Sequence, residues 1–164
     1  MTESPRRVII GLGNEFRGDD AAGLAVIDQL RSRSLSGVRL IESDGDPVAL
    51  MDAWADAESV IVVDAVVSGD AAGKVHIWHD SVPPASQPVR SSSHQLDLAD
   101  TLALAEALSR SPRGLVVIGI EAAVVETGCS MTPEVVAGVD RAADVAAAIC
   151  CHPAAIPGRG VLYA

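Results

Sequence analysis

Two adjacent carboxylates, Asp19 and Asp20, follow a glycine-rich turn directly after the first hydrophobic run of the chain. The turn has the sequence Gly11-Leu12-Gly13-Asn14. A phosphate-binding loop keeps the helix entrance after such a turn free of acids, because the exposed N–H groups and the positive end of the helix hold an anion there. Acidic side chains occupy that position here, so the loop is suited to a cation or to proton transfer.

Further carboxylates and one imidazole are predicted close to this loop. Asp44 and Asp46 follow the second predicted strand, Asp64 lies near the end of the third, and His94 stands where a later helix begins. Ligands of parallel α/β sheets bind beyond the carboxyl ends of the strands, so we expect these side chains to converge there. Each has a simpler role when taken singly, such as a helix cap or a polar strand end. Their shared location favours a functional site.

Strand and helix patterns alternate along the chain, which is typical of an α/β fold. Strands are predicted at Val8–Leu12, Val38–Glu42, Ser59–Val67, Lys74–Trp78 and Leu115–Glu121. Helices are predicted from about Asp20, at Pro47–Trp54, at about Gln95–Ser109, and from an N-cap at Thr132 to about Cys151. The segment Ser81–Ser93, rich in Pro and Ser, is predicted to be a mobile loop. We expect one domain over residues 1–164, with a tail from about residue 153.

The fourth strand should differ in direction from the others. Only Ser68–Gly73 separates it from the third strand, and this connection is too short for a parallel crossover. We therefore predict that Lys74–Trp78 is an antiparallel edge strand in a mixed, mostly parallel sheet of five strands, within a three-layer α/β/α sandwich.

The composition fits this architecture. Of 164 residues, 49% are hydrophobic, but only four are Phe, Trp or Tyr, so the core is expected to consist of Val, Ile, Leu and Ala. Parallel sheets covered by Ala-rich helices have such cores.

Charge and cysteine content exclude several classes of partner. A net charge of −10 disfavours binding to nucleic acid or to anionic lipid. No apolar run reaches the length of a membrane span. The three cysteines form neither a paired framework nor a Cys-x-x-Cys motif, which favours a cytoplasmic protein with reduced thiols.

Three separate motifs together resemble the hydrogenase maturation endopeptidases, which process the large subunit of nickel–iron hydrogenases. The resemblance covers nearly the whole chain, and Gly119–Glu121 and Met131-Thr132-Pro133 also correspond. The motifs are Gly11, Gly13, Asn14, Asp19, Asp20 and Gly23, then Val63-Asp64-Ala65, then Ser93-His94-Gln95-Leu96 with Asp100.

The resemblance implies a function and a site. Asp20, Asp64 and His94 would be both the catalytic and the metal-contacting residues, while Asp19 would cap a helix or support the site. Members recognise nickel already inserted in the large-subunit precursor and remove its C-terminal extension. We therefore expect no tightly bound cofactor, with nickel supplied by the substrate. The family also implies the strand order 2-1-3-5-4.

The chain departs from the family pattern at two places. Asp44-Gly45-Asp46-Pro47 replaces an Asp-Gly-Gly-Thr sequence after the second strand, and Glu121 stands where members often have proline. Both changes concern how the substrate fits.

Two rival functions remain open from sequence. Peptidyl-tRNA hydrolases also begin with a strand and Gly-Leu-Gly-Asn, but they place a catalytic histidine soon afterwards and have a basic surface. Here the first histidine is His76. A non-catalytic nickel-binding maturation factor would use the same three residues without cutting a peptide.

Overall fold

One mixed sheet forms the centre of the protein. The computed structural model describes residues 7–81 and 97–151, together with the backbone of residues 162–163. The sheet has the strand order β2-β1-β3-β5-β4-β6. Its strands are β1 Arg7–Leu12, β2 Val38–Ser43, β3 Ser59–Val66, β4 Val75–His79, β5 Leu115–Glu121 and β6 Leu162–Tyr163. The predicted order of the first five strands is confirmed.

The fourth strand runs against its neighbour, as its short connection predicts. β4 pairs antiparallel with β5, whereas β1, β2, β3 and β5 pair in parallel. The prediction that β4 lies at the sheet edge is wrong, because β6 pairs antiparallel with His76 and Ile77. This pairing satisfies backbone groups that an edge strand leaves open. The sequence beyond about residue 153 was predicted only as a tail.

Within the described residues, four α-helices cover the two faces of the sheet, which confirms the three-layer α/β/α fold. Helices α1 and α4 pack on one face with Ile9, Ile61 and Ile118. Helices α2 and α3 pack on the other face with Ile10 and Val62. The helices are α1 Ala22–Arg31, α2 Pro47–Trp54, α3 Leu98–Ala107 and α4 Pro133–Cys151.

Two helix starts differ from the predicted positions. Asp20 lies in a short 3-10 helix, Gly18–Ala21, that precedes α1. Helix α3 begins at Leu98 rather than near Gln95, because the Asp97 side chain accepts the N–H of Asp100 and acts as the N-cap. Gln95 and most of the loop predicted at Ser81–Ser93 lie outside the described residues. None of the helices within the described ranges is long and apolar enough to span a membrane.

Helix α1 lies unusually close to the sheet, and glycine makes this possible. A Cβ added at Gly23 would stand 2.3 Å from the carbonyl oxygen of Leu12 and 2.4 Å from that of Val63. Both neighbours are backbone atoms of strands and cannot move aside. A Cβ at Gly11 would meet the carbonyl oxygen of Gly23 at 2.2 Å. The start of α1, which is separated from the Asp19-Asp20 pair only by Ala21, is thereby placed against β1 and β3.

We predict that Gly23→Ala lowers the free energy of unfolding by about 3 kcal/mol or more, because α1 has to move away from two strands. At an exposed helix position the same change would be stabilising. Chemical denaturation of both proteins measures the difference. Gly69→Ala is the control: nothing lies within 4 Å of the added Cβ, so only the strain of its φ of 93° remains, about 1–2 kcal/mol. Equal losses in the two variants would contradict the steric explanation.

Candidate active site

The loop after β1 is folded against the residues that carry the two acids. The N–H of Asn14 donates to the carbonyl oxygen of Asp20 at 3.3 Å, and the N–H of Asp20 donates to that of Arg17 at 3.1 Å. Gly13 has a φ of 150°, and a Cβ there would lie 2.0 Å from the Asp20 carbonyl oxygen. The glycine therefore allows the loop to close on Asp20 and to fix its position.

Asp19 is fully buried and ties this loop to the segment between β5 and α4. Its carboxylate accepts the N–H groups of Ala123 and Val124, both at 2.8 Å, and that of Thr132 at 2.7 Å. The Thr132 hydroxyl donates to it as well, at 3.0 Å. Burial alone would raise the pKa of Asp19, but these hydrogen bonds to the charged form outweigh it and lower the pKa. Asp19 supports the loop and caps no helix.

Asp20 and Asp64 come together at the carboxyl edge of the sheet. Asp64 lies on β3, opposite Gly119 of β5, and shares a face with Val62 and Val66, which pack towards α2 and α3. Both carboxylates are half-buried. Burial raises the pKa of Asp64 to about 7, and the negative charge of Asp20 contributes to this rise. The charge of Asp20 therefore reaches Asp64, which places the two side chains near each other.

The pKa of Asp20 is subject to a different set of opposing effects. Burial raises the pKa of its carboxyl, while the positive charge of Arg17 and the N–H of Asn14 act in the opposite direction. The same edge thus holds two desolvated carboxylates with raised pKa values. Such perturbed groups are characteristic of functional sites.

Asp97 is a third carboxylate whose charge acts on Asp64, and the sequence motifs did not single it out. Its negative charge also raises the pKa of Asp64, although its own side chain is exposed and caps α3. A sequence signal was present, because Asp97 lies three residues after His94 and three before Asp100. An aspartate at that spacing marks a helix start.

His94 lies in the range 82–96, outside the described residues. Its predicted place beside Asp20 and Asp64 therefore stays a prediction. Across residues 7–81 and 97–151, no three His, Cys, Asp or Glu side chains are grouped to hold a metal ion.

Asp44 and Asp46 shape the turn after β2. Asp44 accepts the N–H of Asp46 at 3.2 Å, and Asp46 accepts the N–H of Ala49 at 2.7 Å as the N-cap of α2. Both side chains are exposed. These hydrogen bonds give both acids a local structural role on the same edge of the sheet.

Glu121 is a buried carboxylate with a purely internal set of partners. It is 1% exposed and accepts the N–H and the hydroxyl of Ser68, both at 2.7 Å, and the N–H of Gly69 at 3.0 Å. His76 Nε2 lies 3.3 Å away. Glu121 therefore fastens the turn that follows β3 to the end of β5.

Comparison with known proteins identifies the class to which this fold belongs. The family model described as hydrogenase maturation protease (HycI) matches residues 24–149. A hydrogenase expression/formation protein, HupM, of Azotobacter chroococcum is 33% identical over 163 residues, which is 97% of this chain and 75% of the relative. The hydrogenase 2 maturation protease of Escherichia coli is 29% identical over 84% of this chain and 85% of its own length.

Solved structures agree. The hydrogenase maturating endopeptidase HybD from Escherichia coli superposes with a TM-score of 0.75 at 25% identity, covering 96% of this chain and 97% of that structure. The HybD protease from Thermococcus kodakarensis gives a TM-score of 0.69 at 28% identity, covering 88% and 99%. The fold and the relatives define a peptidase. The chain belongs to the hydrogenase maturation protease family, which sets aside the peptidyl-tRNA hydrolase alternative.

We predict that Asp64→Asn stabilises the folded protein at pH 8 but not at pH 4. The folded state holds the Asp64 proton up to about pH 7, whereas the unfolded chain releases it near the ordinary pKa of 3.8. The ionisation of Asp64 therefore does not lower the free energy of unfolding below about pH 4. It lowers this free energy increasingly between about pH 4 and pH 7, and by a constant amount above about pH 7. Thermal unfolding across this range should show a Tm gain of several degrees at pH 8. A pH-independent difference would contradict the assigned burial of Asp64.

Asp19→Asn should have the opposite effect on stability. An amide turns one acceptor oxygen into a donor that faces N–H groups, so we expect a loss of about 2–3 kcal/mol at pH 7. Because the folded pKa of Asp19 is lowered, its contribution is complete above about pH 4 and disappears as the pH falls through the folded value. The difference between wild type and variant should shrink in acid. Denaturant unfolding at pH 7 and pH 3 tests this, with Asp28→Asn as the exposed control.

Proposed function

We propose that the protein is an endopeptidase that removes the C-terminal extension of a [NiFe]-hydrogenase large-subunit precursor. In this proposal Asp20, Asp64 and His94 contact the nickel already inserted in that precursor. The observation that carries it is the convergence of Asp20 and Asp64, from two different strand ends, at the carboxyl edge of the sheet. Membership of the hydrogenase maturation protease family gives the reaction class.

The chemistry of the two carboxylates suits a metal carried by the substrate. Carboxylate and imidazole groups are suitable ligands for nickel. Two neighbouring carboxylates disfavour each other's charged form, and a divalent cation next to both removes this penalty. Two carboxylates and one imidazole form a weaker site than the four-ligand sites of structural zinc. The metal would accordingly arrive with the precursor and position the scissile bond.

Peptide hydrolysis then needs a group that orients water and carries a proton, and we assign this role to Asp64. The water oxygen adds to the scissile carbonyl carbon while its proton passes to the carboxylate. The C–N bond breaks, and the same proton is transferred to the departing amine. A carboxylate held within hydrogen-bond reach of that water can both accept the proton and return it.

Asp20→Asn, Asp64→Asn and His94→Ala are each expected to lower kcat/KM for precursor cleavage by about 100-fold or more. Asp20→Asn and Asp64→Asn should keep the folded structure. Both side chains are half-buried at the carboxyl ends of the strands, and neither belongs to the apolar core. Cleavage of purified, nickel-loaded precursor is measured by the mobility shift of the large subunit. Asp56→Asn removes the same charge at an exposed position and should be fully active.

Nickel-free precursor is the second arm of this test and should not be cut, since the metal that positions its C-terminal segment is missing. Efficient cleavage of nickel-free precursor, or full activity of Asp64→Asn, would place catalysis elsewhere. Precursor binding without any cleavage by the wild type would instead indicate a non-catalytic nickel-binding factor. We expect the reaction to occur in the cytoplasm.

A further inference from the structure

Phe16 is the only phenylalanine in the chain, and 67% of it is exposed. The two tryptophans, Trp54 and Trp78, are buried in the core. Phe16 therefore contributes little to folding, although an aromatic side chain has much to gain from burial. Single exposed apolar residues are common, so exposure alone does not indicate a role.

The backbone that carries Phe16 is held on both sides. Its N–H donates to Asn14 Oδ1 at 2.9 Å, and its carbonyl oxygen accepts the N–H of Gly128 at 2.8 Å. Next to it, the Arg17 guanidinium donates to the carbonyl oxygen of Val125 at 3.3 Å. The ring is thus presented to solvent from a fixed loop, and a partner that covers it does not have to order the backbone first.

Phe16 belongs to the same hydrogen-bonded loop as Asp20. Asn14 accepts from Phe16 through its side chain and donates to Asp20 through its backbone N–H. A second exposed apolar side chain, Val48 at 57%, lies in the first turn of α2, after the neighbouring strand β2. Both apolar side chains therefore stand at the carboxyl edge of the sheet, where Asp20 and Asp64 meet.

We propose that Phe16 is a substrate-docking residue, which packs against an apolar side chain in the precursor peptide next to the scissile bond. The inference rests on the proposed function, because it places the peptide across the Asp20–Asp64 edge. Burial of a preorganised aromatic ring is a common source of binding energy at interfaces. Exposed Glu15, Asp44 and Asp46 share this edge, so acidic side chains beside that apolar residue are disfavoured.

The test compares kcat and KM for cleavage of nickel-loaded precursor by wild type, Phe16→Ser and Phe16→Leu, together with the Kd for precursor binding. Phe16→Ser should raise KM and Kd about tenfold and leave kcat within about twofold. Phe16→Leu keeps an apolar surface and should restore most of the affinity. Both variants should retain the wild-type Tm, since the side chain is mostly exposed.

Leu108→Ser is the matched control. Leu108 is 53% exposed and follows the far end of α3, about 15 Å along the helix axis from its start beside Asp64. Its removal should change neither constant.

The other possible results distinguish a failure of the docking role from a failure of the proposed function. Unchanged KM in Phe16→Ser, or a loss in kcat alone, with an active wild type, overturns the docking role but not the proposed function. If the wild type binds precursor without cutting it, the proposed function fails, and the Kd of Phe16→Ser still decides whether Phe16 docks the peptide. If the wild type neither binds nor cuts, both proposals are overturned.

Discussion

The contact between the start of α1 and the backbone of β1 and β3 determines where the site can form. Gly23 lies against the carbonyl oxygens of Leu12 and Val63, and any side chain at this position would separate the helix from the sheet. Only Ala21 separates Asp20 from the start of α1, and Asp64 follows Val63 directly, so this one contact constrains the spacing between the two carboxylates. The glycine-rich loop is used for close backbone packing, whereas in a phosphate-binding loop it would leave room for an anion.

Asp19 and Asp20, which follow this loop, have different roles, and their hydrogen bonds explain the difference. Asp19 accepts four hydrogen bonds from Ala123, Val124 and Thr132 and stays charged inside the protein. It thereby holds the segment before α4 against the loop that presents Asp20. Burial raises the pKa values of both Asp20 and Asp64, and the charge of Asp20 raises that of Asp64 further. The site is thus supported by one stable carboxylate and contains others that are costly to ionise.

Sequence reasoning predicted most of the fold because the fold depends on local patterns. The buried face of α1 at Val26, Ile27 and Leu30 has helical spacing, and the short connection after β3 determines the direction of β4. It missed β6, since two residues carry no periodic signal. Only the family resemblance separated Asp19 from Asp20, since the residue pattern does not show the donors to Asp19, which lie more than 100 positions away in the chain. The internal role of Glu121 was also missed, because its donors in Ser68 and Gly69 lie 53 and 52 positions away in the chain.

The number of hydrogen-bond donors around each carboxylate distinguishes Asp64 from Asp19 and Glu121. Glu121 and Asp19 are both almost or fully inaccessible, and each has acceptor oxygens satisfied by several N–H and O–H donors. Burial and the charges of Asp20 and Asp97 raise the pKa of Asp64. Within the described residues, the hydrogen bond that lowers this pKa comes from the N–H of Ala65. A buried carboxylate with several donors stabilises the fold. A ligand that took the place of these donors would leave them unsatisfied, and this would cost more free energy than the new contact gains. A desolvated carboxylate beside other negative charges gains from a cation or a proton. The same end of the sheet therefore contains acids whose charges are balanced within the fold and an acid, Asp64, whose charge would be balanced by a bound cation or proton.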